Sequence, residues 1–166
     1  MNTRKILSTI LVIIWMITIF YFSHQQGTGS SNTSKKVAMI IVNIYDIKNE
    51  MSEQQKEDAA IAIDPIVRKL AHYSIYMVGG VLLINCAYAY VKEDKRAVLY
   101  SSIMGVIYAA SDEIHQLFVG GRSGRIADVA IDSIGVFTGI AVFLFGKKIL
   151  SFIVDRGKRI KGGRVE

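Results

Sequence analysis

The sequence predicts an all-α, polytopic membrane protein of four transmembrane helices, with an extracytoplasmic amphipathic helix between the first and the second. Three observations lead to this fold class. Hydrophobic residues make up 51% of the 166 residues. They are concentrated in four long blocks, and most of the charged residues lie between those blocks. The length suits one domain rather than two, so residues 1–166 are treated as a single membrane domain.

The first two blocks are long enough to cross a bilayer without help from the rest of the protein. Residues 6–22 contain nothing more polar than serine and threonine, and residues 75–91 are interrupted only by Asn85. A spanning helix needs roughly 20 mostly apolar residues, so we predict spans at 6–22 and 70–91. No small-residue cleavage site follows residue 22, which favours a retained anchor over a signal peptide.

The last two blocks contain acidic residues, and they cross a membrane only if those charges face protein or water. We predict the third span at residues 97–118 and the fourth at residues 126–146. A basic tail of residues 147–166 follows. Where the fourth span ends stays open, because apolar residues resume after Lys147 and Lys148.

Residues 23–64 form the predicted extracytoplasmic segment. Residues 23–34 are rich in glycine and serine, which is typical of a linker. Residues 35–51 place isoleucines at helical spacing and predict the amphipathic helix, which lies on the outer bilayer surface or packs over the other helices. Ser52 and Gln55 form a candidate capping box for a short helix, and Asp64-Pro65 is typical of the start of the second membrane helix.

The distribution of basic residues predicts the orientation. Residues 1–5, 92–96 and 147–166 hold 12 of the chain's 20 Lys and Arg residues and 4 of its 14 acidic residues. Positively charged loops stay in the cytoplasm, so both termini are predicted to be cytoplasmic in a bacterial cell membrane. The net charge of +6 is then explained by topology and lipid contact, and no nucleic-acid partner is expected. The single cysteine, Cys86, forms no internal disulfide.

This topology brings nearly all ionisable groups at membrane depth to the outer ends of the last three spans. A charge inside a span costs at least ~2.5 kcal/mol on the insertion scale, so such a concentration calls for a reason. The eleven polar residues concerned are Arg68, Lys69, His72, Asp112, Glu113, His115, Gln116, Arg122, Arg125, Asp128 and Asp132.

Helical spacing arranges these residues into faces. Asp112, His115 and Gln116 share one face, and Glu113 points about a quarter turn away unless the helix ends there. In the fourth span Arg125, Asp128 and Asp132 align, and Gly135 and Gly139 continue the same stripe. Small residues four apart let another helix approach closely, so this face is predicted to pack against protein.

Three interpretations of the polar residues stay open at this point. The first is a structural ion-pair network, in which Arg122 and Arg125 neutralise Asp128 and Asp132 while Arg68 or Lys69 pairs with Glu113. The second is a polar cavity that binds a ligand, because the donors and acceptors exceed what pairing requires. The third is a catalytic or metal site, with His72, His115, Glu113 and Asp112 as candidate ligands. No ligand-spacing motif supports this third interpretation, so neither metal nor cofactor is expected.

The polar motifs resemble those of the VanZ family of bacterial membrane proteins, over residues 6–144. The family is named for a factor that lowers sensitivity to the lipoglycopeptide teicoplanin. Three motifs carry the resemblance: Arg68-Lys69-x-x-His72-x-x-x-Tyr76, Asp112-Glu113-Ile114-His115-Gln116-x-Phe118, and Gly121-Arg122-x-Gly124-Arg125-x-x-Asp128-x-x-x-Asp132-x-x-Gly135-x-x-x-Gly139. The sequence departs from many relatives in two ways: Gly120 replaces a proline, and Asp132 replaces an asparagine.

The resemblance implies a four-helix membrane protein and, in some members, tolerance of glycopeptide antibiotics. It implies no reaction. Our leading hypothesis is a non-enzymatic envelope protein whose outward-facing cavity binds a lipid head group, a lipid-linked cell-wall precursor or a lipoglycopeptide such as teicoplanin. The arginines and Lys69 would hold anionic groups, because guanidinium suits bidentate phosphate contact. The alternative is an intramembrane hydrolase or transferase acting on a lipid-linked substrate, with His72 or His115 as general base and Glu113 as acid.

Overall fold

The computed structural model describes residues 3–24, 27–48, 50–121 and 124–162, and this part of the chain contains five α-helices and no strand. The helices are α1 (Thr3–His24), α2 (Gly27–Tyr45), α3 (Glu53–Tyr90), α4 (Asp94–Gln116) and α5 (Ile126–Gly162). The prediction of an all-α protein is therefore confirmed.

The most extensive helix pair is formed by α3 and α5, and glycines bring the two backbones together. A Cβ atom added at Gly135 would lie 2.5 Å from the Tyr73 carbonyl oxygen, and one at Gly139 would meet the Met77 carbonyl. The predicted close helix contact along this glycine stripe is present. Residues 135 and 139 follow residues 73 and 77 in the same order, so α3 and α5 run in the same direction.

Helices α1 and α4 run opposite to that pair. In α1, the Thr9 hydroxyl lies 2.9 Å from the Tyr90 hydroxyl, and the Trp15 indole donates a hydrogen bond of 2.9 Å to the Ile75 carbonyl. Position along α1 therefore rises as position along α3 falls. The core between the helices is aromatic, because Trp15 packs edge-on against the fully buried Tyr76 at a ring-centroid distance of 5.8 Å.

Three of the described helices are long and apolar enough to cross a membrane: α1, α3 and the part of α5 from Ile126 to Arg156. The sequence predicted four such helices, and α4 is the one that does not qualify. Its 23 residues exceed the length of a span. Its serines and tyrosines, together with Asp112 and Glu113, lower its mean hydropathy.

The segment between α1 and α3 is more helical than the sequence indicated. The glycine- and serine-rich residues predicted as a linker are helical from Gly27 onward, so α2 begins eight residues before the predicted start. Local propensity is overridden by packing, because Ala38 and Val42 of α2 are buried against α3. The isoleucines Ile40 and Ile44, which defined the predicted apolar face, remain exposed.

The predicted break before Pro65 is absent, and α3 is one continuous helix. The predicted capping box is present: the Ser52 hydroxyl accepts from the Gln55 backbone N–H, and the Gln55 side chain accepts from the Ser52 N–H. Pro65 removes one backbone hydrogen bond inside the helix. Apolar contacts with α2 extend to both sides of it, through Ile63 and Val67, and hold the helix together there.

Helix α5 settles the open end of the last apolar block. It continues past Gly146 and the two lysines to Gly162, so the first part of the basic tail is helical. A helix of 37 residues is about 55 Å long, more than the hydrocarbon core of a bilayer. One end of α5 therefore extends beyond any membrane that the helix crosses.

Candidate functional site

A polar cavity of about 320 Å³ lies where α4 ends and α5 begins, with α3 as its third wall. Its volume falls at the lower end of the range of small-molecule sites. Eight of the eleven polar residues singled out from the sequence line it. The full lining is Asp64, Pro65, Arg68, Lys69, His72, Glu113, Gln116, Gly121, Arg125, Asp128, Ile131 and Asp132.

The deepest part of this region is a quartet of His72, Asp112, Glu113 and Asp132. One donor atom from each residue lies within 4.8 Å of the others. The three carboxyl-bearing side chains are buried, and the imidazole is half-buried. The quartet is assembled from three helices, because His72 comes from α3, Asp112 and Glu113 from α4, and Asp132 from α5.

Two hydrogen-bond donors orient the α4 carboxylates. The Gln116 amide donates to Asp112 Oδ2 at 3.1 Å and to Glu113 Oε1 at 3.4 Å. The Arg125 backbone N–H donates to Glu113 Oε2 at 2.8 Å, which ties the end of α4 to the start of α5. Gly124 fits under this contact because a Cβ there would meet the Glu113 carbonyl oxygen. Glu113 is thus fixed by both of its oxygens.

Asp132 has no such support from the described part of the chain. It is 0% exposed, and neither of its oxygens has a hydrogen-bond partner among the residues that the structure describes. The Nδ1 atom of the His72 imidazole lies 3.6 Å from Asp132 Oδ1. That distance is longer than a hydrogen bond. A buried carboxylate with so few partners is costly, and such groups are concentrated at functional sites.

Basic side chains occupy the rim of the cavity rather than its floor. Lys69 and Arg125 are exposed, and the Arg68 side chain is 35% exposed. Arg68 Nη2 lies 3.4 Å from Asp64 Oδ2, one helical turn away on α3. Carboxylates therefore lie inside the cavity, and basic side chains lie at its opening.

A second, apolar cavity of about 520 Å³ adjoins the polar one between α1, α2 and α3. It is lined by side chains such as Ile19, Phe22 and Leu70. Arg68 and His72 line both cavities, so the two meet at these side chains. Asp112 belongs to the quartet and also lines the apolar cavity.

Comparison with known proteins identifies the chain. A family model described as VanZ/LLP1 matches residues 8–150. The chain belongs to the VanZ-like family. The match includes every residue of both cavities and of the quartet. No curated protein and no solved structure matches the chain.

The ion pairs predicted for Arg68, Lys69 and Arg125 of this VanZ-like protein are not observed among the described residues. Arg68 contacts Asp64 instead of Glu113, and the Arg125 group that reaches Glu113 is its backbone N–H. Within residues 3–24, 27–48, 50–121 and 124–156, no lysine or arginine side-chain nitrogen lies within ion-pair distance of the quartet's carboxylates. The second predicted cation, Arg122, lies outside the described residues.

His115 is the predicted site residue that the structure places elsewhere. It faces α1, where its ring stacks on Phe20 at 4.5 Å and on His24 at 5.6 Å between centroids. The helix ends at Gln116, and the quarter-turn offset expected for Glu113 places that residue in the cavity. His115 therefore faces away from the quartet, and Asp132 is the fourth member.

Two residues near the site were missed as candidates. Tyr76 is fully buried beside the quartet, and its hydroxyl has no hydrogen-bond partner in the described part of the protein. Its position one turn after His72 was the available signal, since both lie on one face of α3. Asp64, which contacts Arg68, was interpreted only as a helix cap. Its signal was the spacing of four residues from Arg68.

Proposed function

We propose that this VanZ-like protein crosses the cell membrane four times and binds an anionic amphiphile in its two adjoining cavities. The polar cavity takes the head group, and the apolar cavity takes part of the hydrocarbon chain. The observation that carries this proposal is the sharing of Arg68 and His72 by the two cavities, because a ligand that fills both must have a polar and an apolar part.

The path of the chain supports four crossings. Since α3 and α5 run in the same direction and each is long enough to span, the chain between them must return across the same thickness. Helix α4 makes that return: its polar residues Ser101, Asp112 and Glu113 are buried, while Ile103 and Ile107 are exposed. A helix packed in this way crosses a bilayer with little exposed polar surface.

The orientation follows from the basic residues. The cavity end is joined to the segment between α1 and α3, and the opposite end carries the start of α1, the end of α5 and the basic hairpin before α4. The positive-inside rule puts that opposite end in the cytoplasm, so the cavity opens to the outer face of the membrane. Arginine and lysine at its rim favour an anionic head group such as a phosphate.

Two sources supply such a group on the outer face: a phospholipid and a lipid-linked cell-wall precursor. Binding of either is compatible with a contribution to tolerance of teicoplanin-like lipoglycopeptides, which are themselves amphiphiles. We infer that tolerance, where it occurs, acts through the cavity. Expression of the chain in a susceptible strain should then raise the inhibitory concentration, and a cavity variant should not.

Lipid retention tests the binding proposal. We expect Arg125→Gln to lower the amount of anionic lipid that copurifies with the full chain by about tenfold, because a charged hydrogen-bond donor is lost. Mass spectrometry of the extracted lipid measures it. Arg96→Gln is the matched control, since Arg96 is an exposed arginine at the opposite end. Equal retention in both variants and the wild type, or an equal loss in both variants, would refute binding at the cavity.

Cysteine labelling tests the four crossings separately. In a Cys86→Ala background, an impermeant maleimide added to intact cells should modify Glu57→Cys and Gly120→Cys but not Glu93→Cys. Glu57 and Glu93 are exposed, and Gly120 has open space around its Cα, so all three tolerate the change. Labelling of Glu93→Cys and Gly120→Cys from the same side would show that α4 does not cross.

The quartet favours an enzyme as the second candidate function, a hydrolase or transferase acting on a lipid-linked substrate. His72 lies among carboxylates at the floor of the cavity, which suits a general base, and Glu113 suits an acid. His115 takes no part in this candidate, because it faces α1. Turnover of a lipid-linked phosphate by the wild type, lost in His72→Gln but with lipid retention intact, would favour the enzyme over the binding protein.

A further inference from the structure

The quartet contains three carboxyl groups, and no lysine or arginine side chain of the described protein lies within ion-pair distance of them. Three carboxyl groups, from Asp112, Glu113 and Asp132, converge on one imidazole, and the basic side chains lie at the rim. Three ionised carboxylates at membrane depth repel one another and would also repel the anionic head group proposed above. A positive charge at the quartet removes both difficulties at once.

We propose that His72, Asp112, Glu113 and Asp132 bind a divalent transition-metal ion, Zn²⁺ or Mn²⁺. The site does not depend on the amphiphile, because it is inferred from the donor atoms alone. An acidic cluster by itself would not justify a metal. Here two further features do so: an imidazole among the donors and a fully buried carboxylate directed at the same point.

Asp132 is the observation that points to a ligand. It is 0% exposed, both of its oxygens have no hydrogen-bond partner in the described residues, and one of them lies 3.6 Å from His72 Nδ1. Ligands of a tetrahedral zinc ion lie roughly 3.4 Å apart when each bond is about 2.1 Å. The separation of these two atoms therefore already suits two ligands of one ion.

The remaining donors lie within reach of the same ion. All four donor atoms are within 4.8 Å of one another, so shortening the longest separations by at most about 1.4 Å would complete a coordination shell. The Gln116 amide and the Arg125 N–H already hold the two α4 carboxylates. Carboxylates that ligate a metal are usually held by such outer hydrogen bonds, and each oxygen keeps a second lone pair for the ion.

The donor set favours some ions over others. Three carboxylates and one imidazole suit Zn²⁺ and Mn²⁺, which accept both nitrogen and oxygen ligands. Ca²⁺ prefers six to eight oxygen ligands. Ions that prefer thiolate ligands are disfavoured, because Cys86 lies at the other end of α3, near Thr9. An ion here would face the cavity and the cationic rim, so it would add to the attraction for a phosphate.

Metal content of the purified full chain tests the site. Prepared without chelator, the wild type should contain about one equivalent of Zn²⁺ or Mn²⁺ by mass spectrometry. Asp132→Asn should lower the affinity at least tenfold, and His72→Gln should have a similar effect. The matched control is Asp155→Asn, an exposed aspartate on the same helix, which should keep the metal.

Thermal unfolding gives a second readout, which distinguishes a variant that has lost a metal ligand from one that is misfolded. EDTA should lower the melting temperature of the wild type and of Asp155→Asn, and added Zn²⁺ or Mn²⁺ should restore it. Asp132→Asn should respond to neither treatment. The proposal fails if no divalent ion copurifies with the wild type or raises its melting temperature. It also fails if Asp132→Asn melts lower than the wild type in EDTA, because a protein cation would then balance Asp132.

The same samples separate this proposal from the amphiphile. Arg125→Gln should lose lipid and keep the metal, because only the Arg125 backbone contacts the quartet. A protein that binds the metal but retains no lipid would overturn the proposed function and leave the metal site intact. A protein that contains no metal and retains lipid equally with and without EDTA would overturn the metal site and leave the proposed function intact.

Discussion

The two ends of the helix bundle differ in how their charged side chains are paired and exposed. At the end before α4, Arg96 pairs with Glu93 at 2.8 Å and Lys147 with Asp94 at 2.7 Å. The side chains of these four residues are 48–66% exposed. At the cavity end Asp132 is fully buried, and no lysine or arginine among the described residues pairs with it.

This difference separates charged residues that topology alone explains from charged residues that indicate a functional site. Exposed pairs contribute little to stability and are accounted for by the proposed topology, which puts them where positive loops meet the cytoplasmic surface. Buried carboxylates without cations have no such account, because each costs free energy that the fold must offset. The cavity end is therefore a site to which something positively charged, or hydrogen-bonding, is expected to bind.

The largest effect is expected from replacing two glycines of α5 by alanine, Gly135 beside α3 and Gly146 farther from the cavity. Gly135→Ala should destabilise the protein by about 1–3 kcal/mol, because its Cβ would lie 2.5 Å from the Tyr73 carbonyl oxygen and no side-chain rotation can relieve a backbone contact. Gly146→Ala meets nothing within 4 Å and should stabilise the helix by ~0.5–1 kcal/mol. Denaturant unfolding in detergent measures both. Equal effects would mean that the α3–α5 contact is not tight near the cavity.

A tyrosine pair gives the next largest contrast. The Tyr76 hydroxyl, at the cavity end, has no partner among the described residues, while the Tyr88 hydroxyl donates to Asp94 at 2.9 Å. Tyr76→Phe should therefore leave the free energy of unfolding within ~0.5 kcal/mol of the wild type and reduce lipid retention about fivefold. Tyr88→Phe should leave lipid retention unchanged. Normal retention in Tyr76→Phe would show that this hydroxyl does not contact the ligand.

Much of the fold follows from the sequence because membrane helices are marked by length and hydropathy. Two of the three helices that qualify as spans, α1 and α5, begin close to the predicted residues, and the glycine stripe correctly predicted close packing on α5. The errors lie where tertiary packing decides. Gly27 begins a helix and Pro65 lies inside one, although glycine and proline at these positions favour a linker and a helix start, because contacts between α2 and α3 override local preference.

The site was predictable as a region but not as a set of contacts. Membrane topology is enough to bring the polar ends of three helices to one level. The spacing of residues within one helix does not determine how that helix is rotated about its axis relative to its neighbours. His115 was therefore grouped with Asp112 and Gln116, although its ring faces α1. The quartet joins residues up to 60 positions apart on three helices, and no local motif marks such a set.

The smallest effect is expected from pH at the end away from the cavity. The Lys147 ammonium, and after it the Tyr88 hydroxyl, bond to Asp94 and hold the pKa of that carboxyl below its ordinary value of 3.8. A carboxyl whose pKa is lower in the folded state than in the unfolded state stabilises the fold when ionised. This contribution is fully present above pH 3.8 and is lost as the pH falls through the lowered pKa.

We therefore expect Asp94→Asn to melt slightly below the wild type at pH 6, with the difference shrinking toward zero as the pH falls below 3.8. High salt should shrink it as well, because the pair is exposed and salt screens it. Asp155→Asn, which removes an exposed carboxylate of α5 that forms no ion pair with the described side chains, is the control and should follow the wild type at every pH. If Asp94 acts only through its charge, the asparagine variant and the protonated wild type should be equally stable well below pH 3.8. A difference in melting temperature that stays constant from pH 6 to below 3.8 would therefore mean that Asp94 acts through packing or helix capping.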